Sequence, residues 1–111
     1  MMESTRQQKI ARLLQKDLGT IFQQLSREMF LGAMITVTTV IVSKDLSVAK
    51  IYLSLFATKD KADLMDSIHG HTREIRYRLG QVVKNQLRAV PEPHFLEDDS
   101  LDYIDNTDPL P

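Results

Sequence analysis

The residues of this chain best suited to chemistry lie close together. The stretch Ile68-His69-Gly70-His71-Thr72-Arg73-Glu74-Ile75 sets two of the three histidines on either side of a glycine. Imidazoles can ligate a metal or relay a proton. In a continuous helix, residues two apart point about 200° away from each other, so His69 and His71 could share an ion only if Gly70 breaks the helix. A functional zinc site needs three or more protein ligands, and the remaining histidine, His94, is remote in sequence. No Ser-His-Asp spacing, nucleophile elbow or P-loop occurs. The absence of cysteine excludes disulfides and thiolate metal sites. A hydrolase built on His69, His71 and His94 is therefore the weakest reading, and neither a metal nor a cofactor is expected.

The same joint can be read as a nucleic-acid grip. KH domains carry a G-x-x-G loop between two helices, where bare backbone clamps nucleotides. The matching frame here, Gly70-His71-Thr72-Arg73, keeps the first glycine and replaces the second by arginine. An arginine side chain crowds a closely approaching phosphate backbone but offers a cation instead. Projected at 100° per residue, Arg73, Tyr77, Lys84 and Arg88 fall within one polar arc. Cations with one aromatic can bind phosphates and stack a base. Lys9, Arg12, Lys16 and Arg27 align likewise on an earlier helix. Each stripe alone is ordinary for a solvated helix face; the two together point to an anionic partner.

The elements that must position these residues follow from periodicity. Ser4 and Thr5 precede Gln7 and Gln8 at capping-box spacing. Ile10, Leu13, Leu14, Leu18, Ile21, Phe22 and Leu25 then recur at helical steps, and Gly32 reads as a stop. The run ITVTTVIVS is β-branched, but its alternation slips between Ile35/Val37 and Val40/Val42. A bulge near Thr38–Thr39 would return both pairs to one face. In VAKIYLSLF, Ala49, Ile51, Leu53 and Leu55 alternate with polar residues, so an antiparallel hairpin with one buried face is expected. Thr58 to Asp60 can cap a second helix, on which Leu64 and Ile68 face inward. Past the joint, Ile75, Leu79, Val82, Val83 and Leu87 continue an apolar stripe. PEPHFL reads as a short strand at a sheet edge, because Pro91 and Pro93 lack backbone donors. The order is α-β-β-α-α-β, an α+β fold whose economical packing is a three-stranded sheet with helices on one face.

Three local features need their own account. Asp17 falls inside the apolar arc of the first helix, and Arg76 on the inner edge of the third. Burying either charge alone is costly, so the two are expected to pair, or Arg76 to cap backbone carbonyls. Gly80 in mid-helix costs about 1 kcal/mol against alanine, for which close packing and flexibility are rival explanations. Asp45-Leu46-Ser47 carries side chains that fix a turn by local hydrogen bonds; the rival role is contact with a partner through Ser43, Lys44 and Asp45.

The net charge of −1 hides a polarity. All 14 Lys and Arg lie in residues 1–96, against 9 acids there, whereas residues 97–111 hold 6 acids and no base. A basic body suits an anionic partner. The acidic end could keep that body off unrelated RNA or simply solubilise. One domain over residues 1–99 and a fraying acidic tail over 100–111 are expected. No run of 18 apolar residues appears and MMESTRQQK has no apolar signal region, so a cytoplasmic protein without a membrane span is expected.

These residues resemble the ribosome-binding factor A family. The resemblance rests on Val42-Ser43-Lys44-Asp45-Leu46-Ser47-Val48-Ala49-Lys50-Ile51-Tyr52, on Ile75-Arg76-Tyr77-Arg78-Leu79-Gly80, on Val90-Pro91-Glu92-Pro93-His94-Phe95 and on Asp98-Asp99-Ser100. It runs from about Arg6 to Asp105. It implies a type-II KH-like domain and a non-enzymatic factor that binds the immature small (30S) ribosomal subunit through its 16S rRNA and assists late processing and assembly. The family commonly carries Ala-x-Gly at the interhelical joint, where this chain has His71-Thr72-Arg73, so Gly70 is expected to supply the bend. The expected RNA contacts are Lys9, Arg12, Lys16, Arg27, Lys44, Arg73, Tyr77, Lys84 and Arg88, on a protein that is a monomer when free. The competing reading is a protein-interaction or dimerisation module using the exposed strand and the acidic tail.

Overall fold

The computed structural model describes residues 4–56 and 58–98. The tail expected over 100–111 lies outside the described residues.

The first helix, α1 (Thr5–Met29), starts on a complete capping box: Gln7 N–H donates to Ser4 Oγ at 3.1 Å, and Ser4 N–H donates to Gln7 Oε1 at 2.8 Å. Leu14, Leu18, Ile21, Phe22 and Leu25 form its buried stripe. The helix stops where the sequence says it should. Leu31 and Gly32 both take the left-handed conformation, at φ 55° and 79°. The Gly32 N–H then returns to the Ser26 carbonyl at 2.9 Å, and Ser26 Oγ donates to the Ala33 carbonyl.

Strands β1 (Met34–Val42) and β2 (Val48–Phe56) pair antiparallel. The register shifts between Val37 and Thr39, which is the expected bulge. One extra residue at Thr38 lets Ile35, Val37, Val40 and Val42 all face the core. The hairpin closes on Asp45, whose Oδ1 accepts from Ser43 Oγ, Ser47 N–H and Ser47 Oγ at 2.8, 3.1 and 2.7 Å.

Helix α2 (Lys61–Gly70) is capped by Asp60, whose carboxylate accepts the Asp63 N–H. Helix α3 (Thr72–Val83) follows after His71 alone, and β3 (Glu92–Glu97) lies parallel to β2 in the sheet order β1-β2-β3. The edge position expected for the proline-bearing strand is therefore found. The core lies between the sheet and the helices on one of its faces, with the Phe22 and Phe95 rings meeting edge-on at 5.6 Å.

One sequence expectation fails along α3. The helix ends at Val83, so Val82 is exposed rather than buried and Leu87 lies beyond the helix. A tight turn, Gln86 N–H to the Val83 carbonyl at 2.8 Å, ends the helix. The chain must reverse there to enter β3 in parallel with β2.

Candidate nucleic-acid interface

Side chains of the helices reach backbone carbonyls on both edge strands of the sheet. Gln7 Nε2 donates to the Val42 carbonyl at 2.8 Å, and Gln15 Nε2 to that of Val37 at 3.2 Å, both on edge strand β1. On the other edge, His69 Nε2 donates to the Phe95 carbonyl of β3 at 2.9 Å. His71 turns elsewhere: its Nδ1 donates to the Ser67 carbonyl at 2.8 Å, and its ring packs edge-on against Phe30 at 5.6 Å. The two histidines therefore serve separate structural contacts, one on a strand edge and one at a helix end. Backbone carbonyls of this kind usually need side-chain, backbone or water donors.

The joint itself is a bend at His71 (φ −105°, ψ 14°), not at Gly70, which is still the last residue of α2. This corrects the expectation that Gly70 makes the kink. A Cβ added at Gly70 would meet nothing within 4 Å, so that position does not need its glycine for space. Thr72 Oγ1 donates to the His69 carbonyl at 2.9 Å. With these bonds made, the joint presents to solvent the exposed His69 and Arg73 side chains.

The helical layer turns its cations outward. Lys9, Arg12, Lys16 and Arg27 on α1, Lys44 on the hairpin turn, Arg73 on α3, and Lys84 and Arg88 beyond its end are all exposed. Among the described residues none of these side chains is in an ion pair. Lys9 to Arg27 spans about 27 Å along α1 at 1.5 Å per residue. Lys44 stands at the same end of the molecule as the start of α1, since Gln7 reaches Val42 there. Arg27 and Arg73 stand at the other end, where His71 meets Phe30. Tyr77, 63% exposed, is the aromatic on this surface. Arg12 leans toward β1, where it lines a shallow recess of about 220 Å³ with Gln15 and Thr38. The α3 stripe is less regular than projected, because Lys84 caps the helix and Arg88 lies past its end.

The expected Asp17–Arg76 pair does not form, and Arg76 caps no carbonyl among the described residues. Arg76 is exposed, and Asp17 Oδ2 is buried with no hydrogen-bond partner. The reason is rotation about α3. Arg76 shares a helix face with Gly80, one turn on, and Gly80 looks toward Val90. Arg78, two residues on, faces α1 instead. It donates to Glu28 Oε1 at 3.0 Å and to Glu74 Oε2 at 2.8 Å. Glu74 first and Glu28 second hold its guanidinium pKa above the ordinary value. The i,i+4 pair Glu74–Arg78 was visible in sequence; Glu28, fifty residues away from Arg78, was not. This strap also places two carboxylates between the cations of α1 and those of α3, so the positive surface is divided along its length.

Lys44 stands exposed at the hairpin turn beside Asp45. Hydrogen bonds from Ser47 and Ser43 lower the Asp45 pKa to about 2. The carboxylate is held by its own loop while remaining exposed, as the neighbouring Lys44 is. This is the structural role read for the Asp45-Leu46-Ser47 turn, with Leu46 in the left-handed conformation at φ 66°.

Comparison with known proteins agrees with this architecture. The family model for ribosome-binding factor A matches residues 6–110. A ribosome-binding factor A from Cytophaga hutchinsonii is 45% identical over 96% of this chain and 80% of its own length. That from Flavobacterium johnsoniae is 42% identical over 96% of this chain and 83% of its own length. The crystal structure of ribosome-binding factor A from Thermus thermophilus superposes with a TM-score of 0.66 at 25% identity, covering 82% of this chain and 94% of that one. A homology model of the Thermus thermophilus factor, fitted into a cryo-EM map of a 30S–RbfA complex, gives a TM-score of 0.64 at 26% identity, covering 80% of this chain and 91% of that one. The α-β-β-α-α-β element order, a family-model match over residues 6–110 and relatives more than 40% identical over nearly the whole chain together mean that this chain belongs to the ribosome-binding factor A family.

Proposed function

We propose that this protein binds the immature small (30S) ribosomal subunit through its 16S rRNA and assists late assembly and rRNA processing. It acts in the cytoplasm, by binding rather than by catalysis. The observation that carries the reading is the row of exposed cations on the helical layer, from Lys9 to Arg27 along α1, in no ion pair among the described residues. The family membership and the 30S complex of the Thermus thermophilus relative support it. Residues 1–99 form the binding domain and 100–111 an acidic tail.

Phosphate contacts by Lys and Arg release counterions, so affinity falls steeply with salt. A protein that binds one rRNA conformation better than another shifts the subunit toward it without chemistry. Lys9, Lys16, Arg27 and Arg73 supply the phosphate contacts, and Tyr77 a surface on which an unpaired base can stack.

The test is co-sedimentation with precursor and mature small subunits across a salt series. Preference for precursor subunits with strong salt dependence is expected. Equal affinity for both, or binding indifferent to salt, would overturn the reading in favour of a protein-interaction module.

A further inference from the structure

Arg12 differs from the other cations of α1 in what lies beside it. With Gln8 and Gln15 it borders a recess of about 220 Å³ against the bulged edge strand β1. These three residues follow one another at steps of four and three, so they share one face of the helix. Ala11 lies on the same face and lines the recess, and its side chain is too short to fill the space between the longer ones. No acid lines the recess. Lys9 and Lys16, three residues before Arg12 and four after it, are both exposed, so the cation row of α1 passes beside the opening.

The opposite wall is backbone. Ser43 N–H donates to the Val48 carbonyl at 2.8 Å, which makes these two a hydrogen-bonded pair. Alternation along the antiparallel ladder then turns the backbone groups of Val42 and Val40 to the free edge. The bond from Gln7 Nε2 to the Val42 carbonyl agrees. On the other side of Val40, Gln15 Nε2 donates to the Val37 carbonyl and, at 3.4 Å, to that of Thr38. Val40 lines the recess, and among the described residues no side chain bonds its N–H or its carbonyl. One donor and one acceptor are too few for an added β-strand, which pairs with alternate residues along an edge; the glutamines and the bulge block the rest. They do match an unpaired base, whose Watson–Crick edge offers an adjacent donor and acceptor. In a duplex that edge is spent on the partner base.

We propose that this recess is a subsite for one unpaired nucleotide of the bound RNA. The base meets the Val40 backbone and the Gln8 amide, and a flanking phosphate meets Arg12. The site stands on β1, at the opposite edge of the sheet from His69 and the α2–α3 joint. It rests on the proposed rRNA binding and adds to it a preference for unpaired over paired RNA.

Full-length protein is titrated by fluorescence anisotropy against a labelled RNA of about 12 nucleotides, a usual length for a single-strand site, alone and annealed to its complement. Ala11→Leu fills the recess without changing a charge, and urea unfolding checks that it folds. The wild-type protein should prefer the unpaired strand. Ala11→Leu should lose about tenfold in affinity for that strand, and less than about twofold for the duplex. No preference in the wild type, an unchanged affinity in Ala11→Leu, or equal losses from both forms overturns the subsite and leaves the cation row standing. Wild-type binding to neither form overturns row and subsite together. A homodimer that Ala11→Leu dissociates overturns the subsite too, and assigns the edge to a strand of a second copy. A second measurement needs no variant. RNA carrying 4-thiouridine, photo-cross-linked to the wild-type protein and mapped by mass spectrometry, should mark residues 8–15 or 38–40; cross-links confined to residues 69–77 reject the subsite.

Discussion

Asp45 commits its carboxylate to its own loop, and this makes the hairpin turn acid-sensitive. Its pKa is lowered to about 2 from an ordinary 3.8. A depressed folded-state pKa contributes stability that is present above the unfolded value and is lost as pH falls through the folded one. The contribution should therefore be full above pH 3.8 and gone below about pH 2. Urea unfolding between pH 5 and 2 should show a loss in the native protein that Asp45→Ala lacks, and the Asp45 carboxyl should titrate by NMR near the low value. Leu31 makes a second residue-scale prediction. It is fully exposed in the left-handed conformation, which costs a branched residue about 1–2 kcal/mol. Leu31→Gly should raise stability by about 1 kcal/mol in chemical denaturation, and Leu31→Ala should not. At this scale the capping box and the turn chemistry were legible in sequence, since both are local hydrogen bonds. The roles of the two histidines were not legible, because the Phe95 carbonyl that holds His69 lies 26 residues away and the Phe30 ring that His71 meets lies 41 residues away.

The bulge at Thr38 is the element on which the hairpin depends. It places two apolar pairs on one face of a strand whose sequence alternation changes phase midway. Deleting Thr38 would turn one pair, Ile35/Val37 or Val40/Val42, to solvent. At about 1.5–3 kcal/mol per buried side chain the loss is roughly 3–6 kcal/mol, against a total stability of about 5–15 kcal/mol for a domain. Urea denaturation should show unfolding or a large fall in midpoint, whereas Thr38→Ala should remain folded. Helix α3 offers the opposite case. A Cβ at Gly80 would lie 3.7 Å from Val90 Cγ2, an ordinary contact. Gly80→Ala should gain about 1 kcal/mol, read as a higher urea midpoint. The sequence marked the starts of α1 and α2 and the phase change in β1. It overran the end of α3, because the apolar period continues through Leu87 while the chain must already turn back toward the sheet.

Across the whole molecule, most of the described cations stand on the helical layer, whereas the other face of the sheet carries Lys50 together with exposed apolar residues at its margin. If rRNA meets the helical layer, the slope of log affinity against log salt measures the phosphates engaged, at about 0.7–0.9 per contact. Lys16→Ala or Arg27→Ala should each reduce that slope by about one contact, while Arg76→Ala should leave binding and folding nearly unchanged. Glu28→Gln should weaken the α1–α3 strap and also remove a negative charge between the cationic helices, so rRNA affinity should rise even as stability falls slightly. Sedimentation across a salt series and urea unfolding separate the two effects.

Element order, the strand bulge, the edge strand and the segregation of charge follow from the sequence by itself, because each is encoded by residues within a few positions of one another. Only the tertiary structure decides which distant groups meet. It gives Arg78 rather than Arg76 the cross-helix ion pair, leaves a buried oxygen of Asp17 without a partner among the described residues, assigns His69 to a strand edge, and anchors Asp98 on Thr38. Those outcomes depend on the rotation of each helix about its axis once packed, and a rotation of one residue is about 100°, enough to exchange one partner for another.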